Sequence, residues 1–305
     1  MFLKRGMVKR GKAKNLVIAC SGAKHIAEKI AKKSKSAYVE TVLERFPDTE
    51  LKVRLGKKSL KGKNVYLIQS FYKSDEDEMD INDRLMEVLF SAYTAKELKA
   101  KKIFLIAPYL AYLREDKRFE KNESINARIL AELFKIFNKV YVLEPHLHRF
   151  KSFTEFFPNA KKISLSNEVA TYIQKNVKNS KREVILVGPD MESEQWVKPV
   201  AKKLNAEHVI LKKTRFSSRK VKVHGKKVSK NKVIVIDDII STGGTMIEAG
   251  RLLRAKKIYF IGMHGLFAEG ALKKLKKKGR VVVSNSIPSK ASKLDCTGVL
   301  AEIIK

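Results

Sequence analysis

The sequence predicts an α/β protein built as two successive halves, each a mostly parallel sheet flanked by helices. Short β-branched runs recur along the chain, each followed by a stretch of helical periodicity. At 305 residues the chain can bury two cores of ordinary size. In both halves a strand runs into proline, at Ala107-Pro108 and at Gly188-Pro189. The expected organisation is a basic extension over residues 1–14, a first domain over 15–155 and a second over 156–290, with 291–305 returning to the first.

The strands are read from Asn64–Gln69, Lys102–Ala107, Val140–Leu143, Val184–Val187, Val233–Ile236 and Lys257–Ile261, runs too short and too apolar for amphipathic helices. Between them, Leu85, Leu89, Ala92 and Leu98 share one helical face, and Ile125, Ile129, Leu133 and Phe137 share another with Ser124 as its N-cap. Val197, Val200, Ala201 and Leu204 mark a third. Parallel sheets collect ligands at the carboxyl ends of their strands. The loops to inspect are therefore Pro108–Lys121, Glu144–His148, Gly188–Gln195 and Asp237–Thr245.

Composition excludes several classes. No apolar run is long enough to cross a bilayer, and the basic start lacks the apolar core of a signal peptide, so a soluble cytoplasmic protein is expected. Cys20 and Cys296 have no metal-binding spacing and read as buried small hydrophobes. With 65 Lys+Arg against 32 Asp+Glu the formal charge is +33, which favours non-specific polyanion binding at low salt. No nucleic-acid reading module accompanies that charge. The acidic cluster Asp75–Asp80 reads as a solvated loop and first helical turn complementing a helix dipole, with metal binding as the lesser alternative.

The densest chemical signal is Lys232–Met246, KVIVIDDIISTGGTM. A buried strand is expected to end at Ile236 and to be followed by Asp237 and Asp238, two carboxylates that suit the vicinal hydroxyls of a sugar. Ser241, Thr242, Gly243, Gly244 and Thr245 then supply three hydroxyls and two glycines where a helix beginning near Met246 offers free N–H groups to a phosphate. The segment resembles the phosphoribosyl-pyrophosphate motif of type I phosphoribosyltransferases and of ribose-phosphate pyrophosphokinases.

Further segments resemble the second of those families alone. They are Phe46–Glu50, Lys61–Ser70, Asn82–Leu89, Ala107–Tyr109 with Tyr112–Arg118, Glu144–His148, Gly188–Asp190, Lys213–Arg215 and Val283–Pro288, in the same order. The resemblance runs from about residue 16 to the end and implies two phosphoribosyltransferase-type domains. It implies transfer of the β,γ-diphosphoryl group of ATP to ribose 5-phosphate, with Mg²⁺ as cofactor. Lys213 and Arg215 match the catalytic Lys-x-Arg, and His146 and Asp190 match metal-site residues. Arg114, Glu115, Asp116 and His146 match the ATP side, with His148 a lesser candidate there. Phe46, Asp48 and Glu50 match an adenine-recognising segment contributed by a neighbouring subunit, so a homodimer or larger assembly is expected.

The sequence departs from the family at four places: Glu115 where glutamine is common, Met191-Glu192-Ser193 where small glycines are common, Pro145 in place of leucine, and the acidic insertion at 75–80. These departures leave a non-catalytic regulatory homologue as the first alternative. A nucleic-acid-binding protein, resting on charge alone, is the second.

Overall fold

A computed structural model describes residues 14–74, 76–146, 152–177, 184–215, 221–224 and 228–304, without the side chains of 213–215, 221, 222 and 224. Most of the expected basic extension, Asp75 and His148 therefore lie outside the described residues. The first half runs β1 (Asn15–Ala19), α1 (Lys24–Lys33), β2 (Ala37–Arg45), β3 (Leu51–Leu55), β4 (Asn64–Ile68), α2 (Ile81–Glu97), β5 (Lys102–Ala107), α3 (Asn126–Leu133), β6 (Lys139–Leu143) and β7 (Ala160–Ile163). Its seven strands are ordered β3-β2-β1-β4-β5-β6-β7, and only the β2–β3 pair is antiparallel.

The second half begins with α4 (Ser166–Asn176), β8 (Val184–Gly188), α5 (Glu194–Leu204) and β9 (Glu207–Ile210). It continues with β10 (Lys212–Arg215), β11 (Val221–His224), β12 (Val228–Ser229), β13 (Lys232–Ile240), α6 (Gly244–Arg251) and β14 (Leu253–Arg254). It ends with β15 (Lys257–Gly265), α7 (Ala271–Lys276), β16 (Arg280–Ser284), β17 (Ser292–Leu294) and α8 (Thr297–Ala301). Six parallel strands follow the order β17-β16-β15-β13-β8-β9, while β10 and β11 form an antiparallel hairpin of their own.

Alternation along the strands divides the apolar residues among three cores. Leu16, Ile18, Leu67 and Leu105 pack under α2 and α3, and Val187, Val233, Val235 and Phe260 pack under α6 and α7. The third core is shared: Val17, Ala19 and Ile68 of the first sheet join Leu186, Ile234 and Ile261 of the second through α1, α4, α5 and α8. Each fully buried Leu or Ile contributes roughly 1.5–3 kcal/mol, so a core drawing on both sheets holds the halves together strongly.

Two helix faces differ from the expected ones. On α2 the buried stripe is Arg84, Glu87, Val88, Ser91, Ala92 and Ala95, whereas Leu85 and Leu89 are half-buried and Leu98 is exposed. On α3 the stripe is Ala127, Leu130 and Ala131, continued by Phe134, while Ile129 and Leu133 face out. Alanine and serine bring these helices close to the sheet, and the larger side chains are displaced to the flank. Ser124 is not the N-cap; Ile125 holds that position, and the Ser124 hydroxyl donates to Asn126 at 2.7 Å. The third face, on α5, is buried as expected and gains Trp196.

Cys20 and Cys296 are buried and unpaired with each other, and burial pushes both thiols up. Asp80 caps α2 through the N–H groups of Asn82 and Asp83, and Asp77 pairs with Arg84 at 3.0 Å, so the acidic segment serves the helix that follows it. No helix among the described residues is long and apolar enough to cross a membrane.

Candidate active site

Strand order reverses direction at β8, which has β13 on one side and β9 on the other. A ligand crevice belongs at the carboxyl ends of β8 and β13. Strand β13 is longer than expected: it pairs with β15 through Ile240, while its pairing with β8 stops at Val235. Asp237 and Asp238 therefore lie inside a strand whose β8 edge has opened. Asp237 is half-buried, and its Oδ1 accepts from the Asp238 N–H at 3.0 Å. Asp238 is buried, and its Oδ1 accepts from the Ile239 N–H at 2.7 Å.

Beyond the strand, Ser241, Thr242, Gly244 and Thr245 are half-buried around Gly243, which stands at the N-cap of α6 with φ of +76°. That conformation favours glycine, and a Cβ there would meet Leu275 Cδ1 at 3.2 Å. The helix begins at Gly244, two residues before the expected start, and no side chain caps it. Its first-turn N–H groups are thus oriented for an anion.

On the other side of β13 the first half supplies His146. Its Nδ1 contacts the Oδ2 of Asp238, joining the loop after β6 to the Asp-Asp strand. An ionised carboxylate only accepts, so Nδ1 carries the proton in this pair. Asp190 is buried after β8 and accepts from the Ser193 N–H at 3.1 Å, closing a short turn through Met191 and Glu192. Gly188 admits no side chain, since a Cβ would lie 2.3 Å from Ser193 Oγ. Among the described residues no three His, Cys, Asp or Glu side chains gather as a metal-binding group.

The remaining expected residues are distributed around this centre. Arg114 is exposed, Glu115 half-buried and Asp116 buried on the loop after β5, where the Glu115 carbonyl accepts from Ala127 at 3.2 Å. Burial raises the Tyr109 hydroxyl, Arg114 pulls it down and Asp238 pushes it up, which puts both charges near one phenol. Phe46, Asp48 and Glu50 are exposed at the β2–β3 tip, where Phe46 N–H donates to Glu50 O and Glu50 N–H to Asp48. Lys213 and Arg215 lie on β10, paired with Val223 and Val221, and their side chains are outside the described residues.

The model for the N-terminal domain of ribose phosphate pyrophosphokinase matches residues 15–137, and a phosphoribosyl transferase domain model matches 162–298. A ribose-phosphate pyrophosphokinase of Pyrococcus furiosus is 34% identical over 92% of this chain and 96% of its own length. The Pyrococcus abyssi protein of the same name is 32% identical over 95% of this chain and 98% of its own. The chain belongs to the ribose-phosphate pyrophosphokinase family. A crystal structure of phosphoribosylpyrophosphate synthetase from Mycobacterium smegmatis superposes with a TM-score of 0.80 at 25% identity, covering 95% of this chain and 98% of that one. Both domains have the phosphoribosyltransferase-type α/β fold of the family.

Two residues near this centre, Trp196 and His264, carried no signal strong enough to be singled out in the sequence, and Glu144 was legible only as the start of the Glu144–His148 segment. Glu144 is buried with φ of +40°, and its carboxylate accepts from Leu165 N–H at 2.6 Å, Ser164 Oγ at 2.8 Å and Trp196 Nε1 at 3.2 Å. His264 is buried at the end of β15 beside β13. A carboxylate directly before Pro145 and a histidine closing an apolar strand were the available clues.

Proposed function

We infer that the chain is a ribose-phosphate diphosphokinase, forming 5-phosphoribosyl 1-diphosphate and AMP from ATP and ribose 5-phosphate. The observation that carries this reading is the His146–Asp238 contact, which joins the nucleotide-side loop of one half to the sugar-side strand of the other. The C1 oxygen of ribose 5-phosphate bonds to the β-phosphorus as its hydroxyl proton passes to water, and the bond between that phosphorus and the α,β-bridging oxygen breaks to release AMP. Nothing covalent is required of the protein, so its task is alignment and charge neutralisation.

The α6 N-terminus with Ser241, Thr242, Gly243, Gly244 and Thr245 holds the 5-phosphate. Asp237, the more accessible of the paired carboxylates, accepts from the ribose hydroxyls, and Asp238 orients His146. Lys213 and Arg215, which match the catalytic Lys-x-Arg, would neutralise the diphosphoryl oxygens, Arg with its planar fork and Lys as a point charge. Arg114, with Glu115 and Asp116 beside it, faces the nucleotide phosphates. Phe46, Asp48 and Glu50, exposed on a hairpin tip, suit the adenine of a neighbouring subunit, which makes the working unit a homodimer or larger.

Asp190 and His146 would hold Mg²⁺. The donor set fits, because this cation takes one or two carboxylates together with substrate phosphates, and an imidazole whose other nitrogen is held by a carboxylate is a well-oriented partner. When bound, the ion neutralises charge on the transferring group. The test is AMP release by purified protein with ATP, Mg²⁺ and ribose 5-phosphate over a range of salt and phosphate. Sugar-dependent AMP is the expected result; its absence under all conditions favours the regulatory reading.

A further inference from the structure

His264 sits on β15 in register with Ile239, the residue that follows Asp238 on β13. It is 1% exposed and belongs to the second half, yet its ring faces the first. Nε2 lies 3.1 Å from the Leu143 carbonyl and 3.2 Å from the Glu144 carbonyl, at the carboxyl end of β6. Nδ1 lies 2.8 Å from Ser286 Oγ, and the ring packs on Tyr109 with centroids 5.0 Å apart. Carbonyl oxygens only accept, so Nε2 carries the proton and donates to two consecutive carbonyls. Ser286 is itself tied back to the first half, since Ser70 Oγ donates to its carbonyl at 2.7 Å.

Those two carbonyls lead directly into Pro145 and His146. The Glu144 side chain is gripped independently by Leu165, Ser164 and Trp196. Glu144 is thus held at its carboxylate by one set of donors and at its carbonyl by His264, in a left-handed conformation that a non-glycine residue keeps only when its surroundings impose it. The shared apolar core fixes the halves in general, but it does not aim a loop.

We propose that His264 is a positioning residue that sets the Glu144-Pro145-His146 turn against Asp238, and thereby brings the nucleotide and sugar half-sites into reacting alignment. It touches neither substrate. The inference rests on the diphosphokinase reading for its kinetic consequence, though not for the contact it explains.

The test compares His264→Gln, His264→Asn and His264→Ala in the full chain. From Cβ, a glutamine amide nitrogen is as many bonds away as Nε2, whereas an asparagine amide nitrogen reaches only the Nδ1 position. Glutamine should therefore preserve the donor to Leu143 and Glu144. Misplacement of reacting groups by about 1 Å costs on the order of 100-fold, so the alanine and asparagine variants should lose kcat by about that factor. Glutamine should recover most of it, and the affinity for ribose 5-phosphate alone should stay unchanged.

A second readout needs no turnover. The ¹⁵N shifts of the His146 ring should report an Nδ1-protonated tautomer in the parent and the glutamine variant, and a tautomer mixture in the other two. Unchanged His146 shifts in the alanine variant overturn the proposal, as does a loss of kcat that glutamine restores no better than asparagine. A parent protein that releases no sugar-dependent AMP, while its His146 shifts respond as described, refutes the diphosphokinase reading and leaves the positioning contact supported.

Discussion

Asp238→Asn is the substitution whose consequences the structure defines most closely. Asp238 is buried; its Oδ1 accepts from the Ile239 N–H at 2.7 Å, and its Oδ2 contacts the His146 ring. Asparagine has the same shape, but it must keep its one oxygen for Ile239 and turn its amide N–H groups toward His146. Two donors would then face each other, so the imidazole shifts its proton from Nδ1 to Nε2. Nε2 loses the lone pair through which it would meet a cation. Losing the carboxylate partner of a metal-side histidine costs about 10–100-fold in metal affinity or activity. At about 1.4 kcal/mol per tenfold, that is roughly 1.4–2.7 kcal/mol, in line with about 1.5–3 kcal/mol for a hydrogen bond to a charged group. The assay is AMP release across a Mg²⁺ titration. The variant should need more Mg²⁺ for half-maximal rate and recover in part at high Mg²⁺, whereas Asp237→Asn should raise the KM for ribose 5-phosphate with an unaltered Mg²⁺ profile. If both substitutions change only the sugar KM, the division of labour between the two carboxylates is wrong.

Other perturbations address separate parts of the chain. Lys213→Ala should lower kcat far more than ATP affinity, as contacts made mainly in the transition state do; equal losses in turnover and in equilibrium ATP binding would exclude that role. Gly243→Ala places a side chain at φ of +76° and 3.2 Å from Leu275, so it should lower stability by about 1–3 kcal/mol in urea titration and weaken ribose 5-phosphate binding. Burial lowers the pKa of His264, outweighing the charges of Asp238 and Glu144 and its carbonyl bonds. Below about pH 6.5 the unfolded chain then binds the extra proton, so stability falls as pH drops through that window. The urea midpoint of His264→Gln should vary less with pH there than that of the parent, and parallel profiles would contradict the neutral assignment.

The Asp237–Thr245 loop stood out because its residues are local: two carboxylates, three hydroxyls and two glycines lie within nine residues. The apolar strands were readable for the same reason. The helix faces of α2 and α3 were not, because the sheet accepts their alanines and serine at close range and pushes Met86, Phe90, Ile129 and Leu133 outward. Arg84 and Glu87 defeat the usual sorting altogether, being charged and fully buried on α2. His264 lies inside KIYFIGMHG, where nothing nearby announces a polar partner; its acceptors are about 120 residues earlier in the chain. Long-range pairing of that kind exists only once both sheets are assembled.

Glu87 fills the strand-order reversal of the first half. The first sheet has its own reversal of strand order, at β1 between β2 and β4. At that point the Glu87 carboxylate accepts from the Ser21 N–H at 2.9 Å, Ser21 Oγ at 2.5 Å, Thr41 Oγ1 at 2.6 Å and Gln69 Nε2 at 2.7 Å. Backbone N–H, hydroxyl and amide donors are what a bound oxyanion would receive in such a crevice. The first domain therefore carries a tethered anion of its own, delivered by α2 and locked by Arg84 through Ser21. The donors around this reversal are thus met from within the chain, and the protein's own carboxylate closes it.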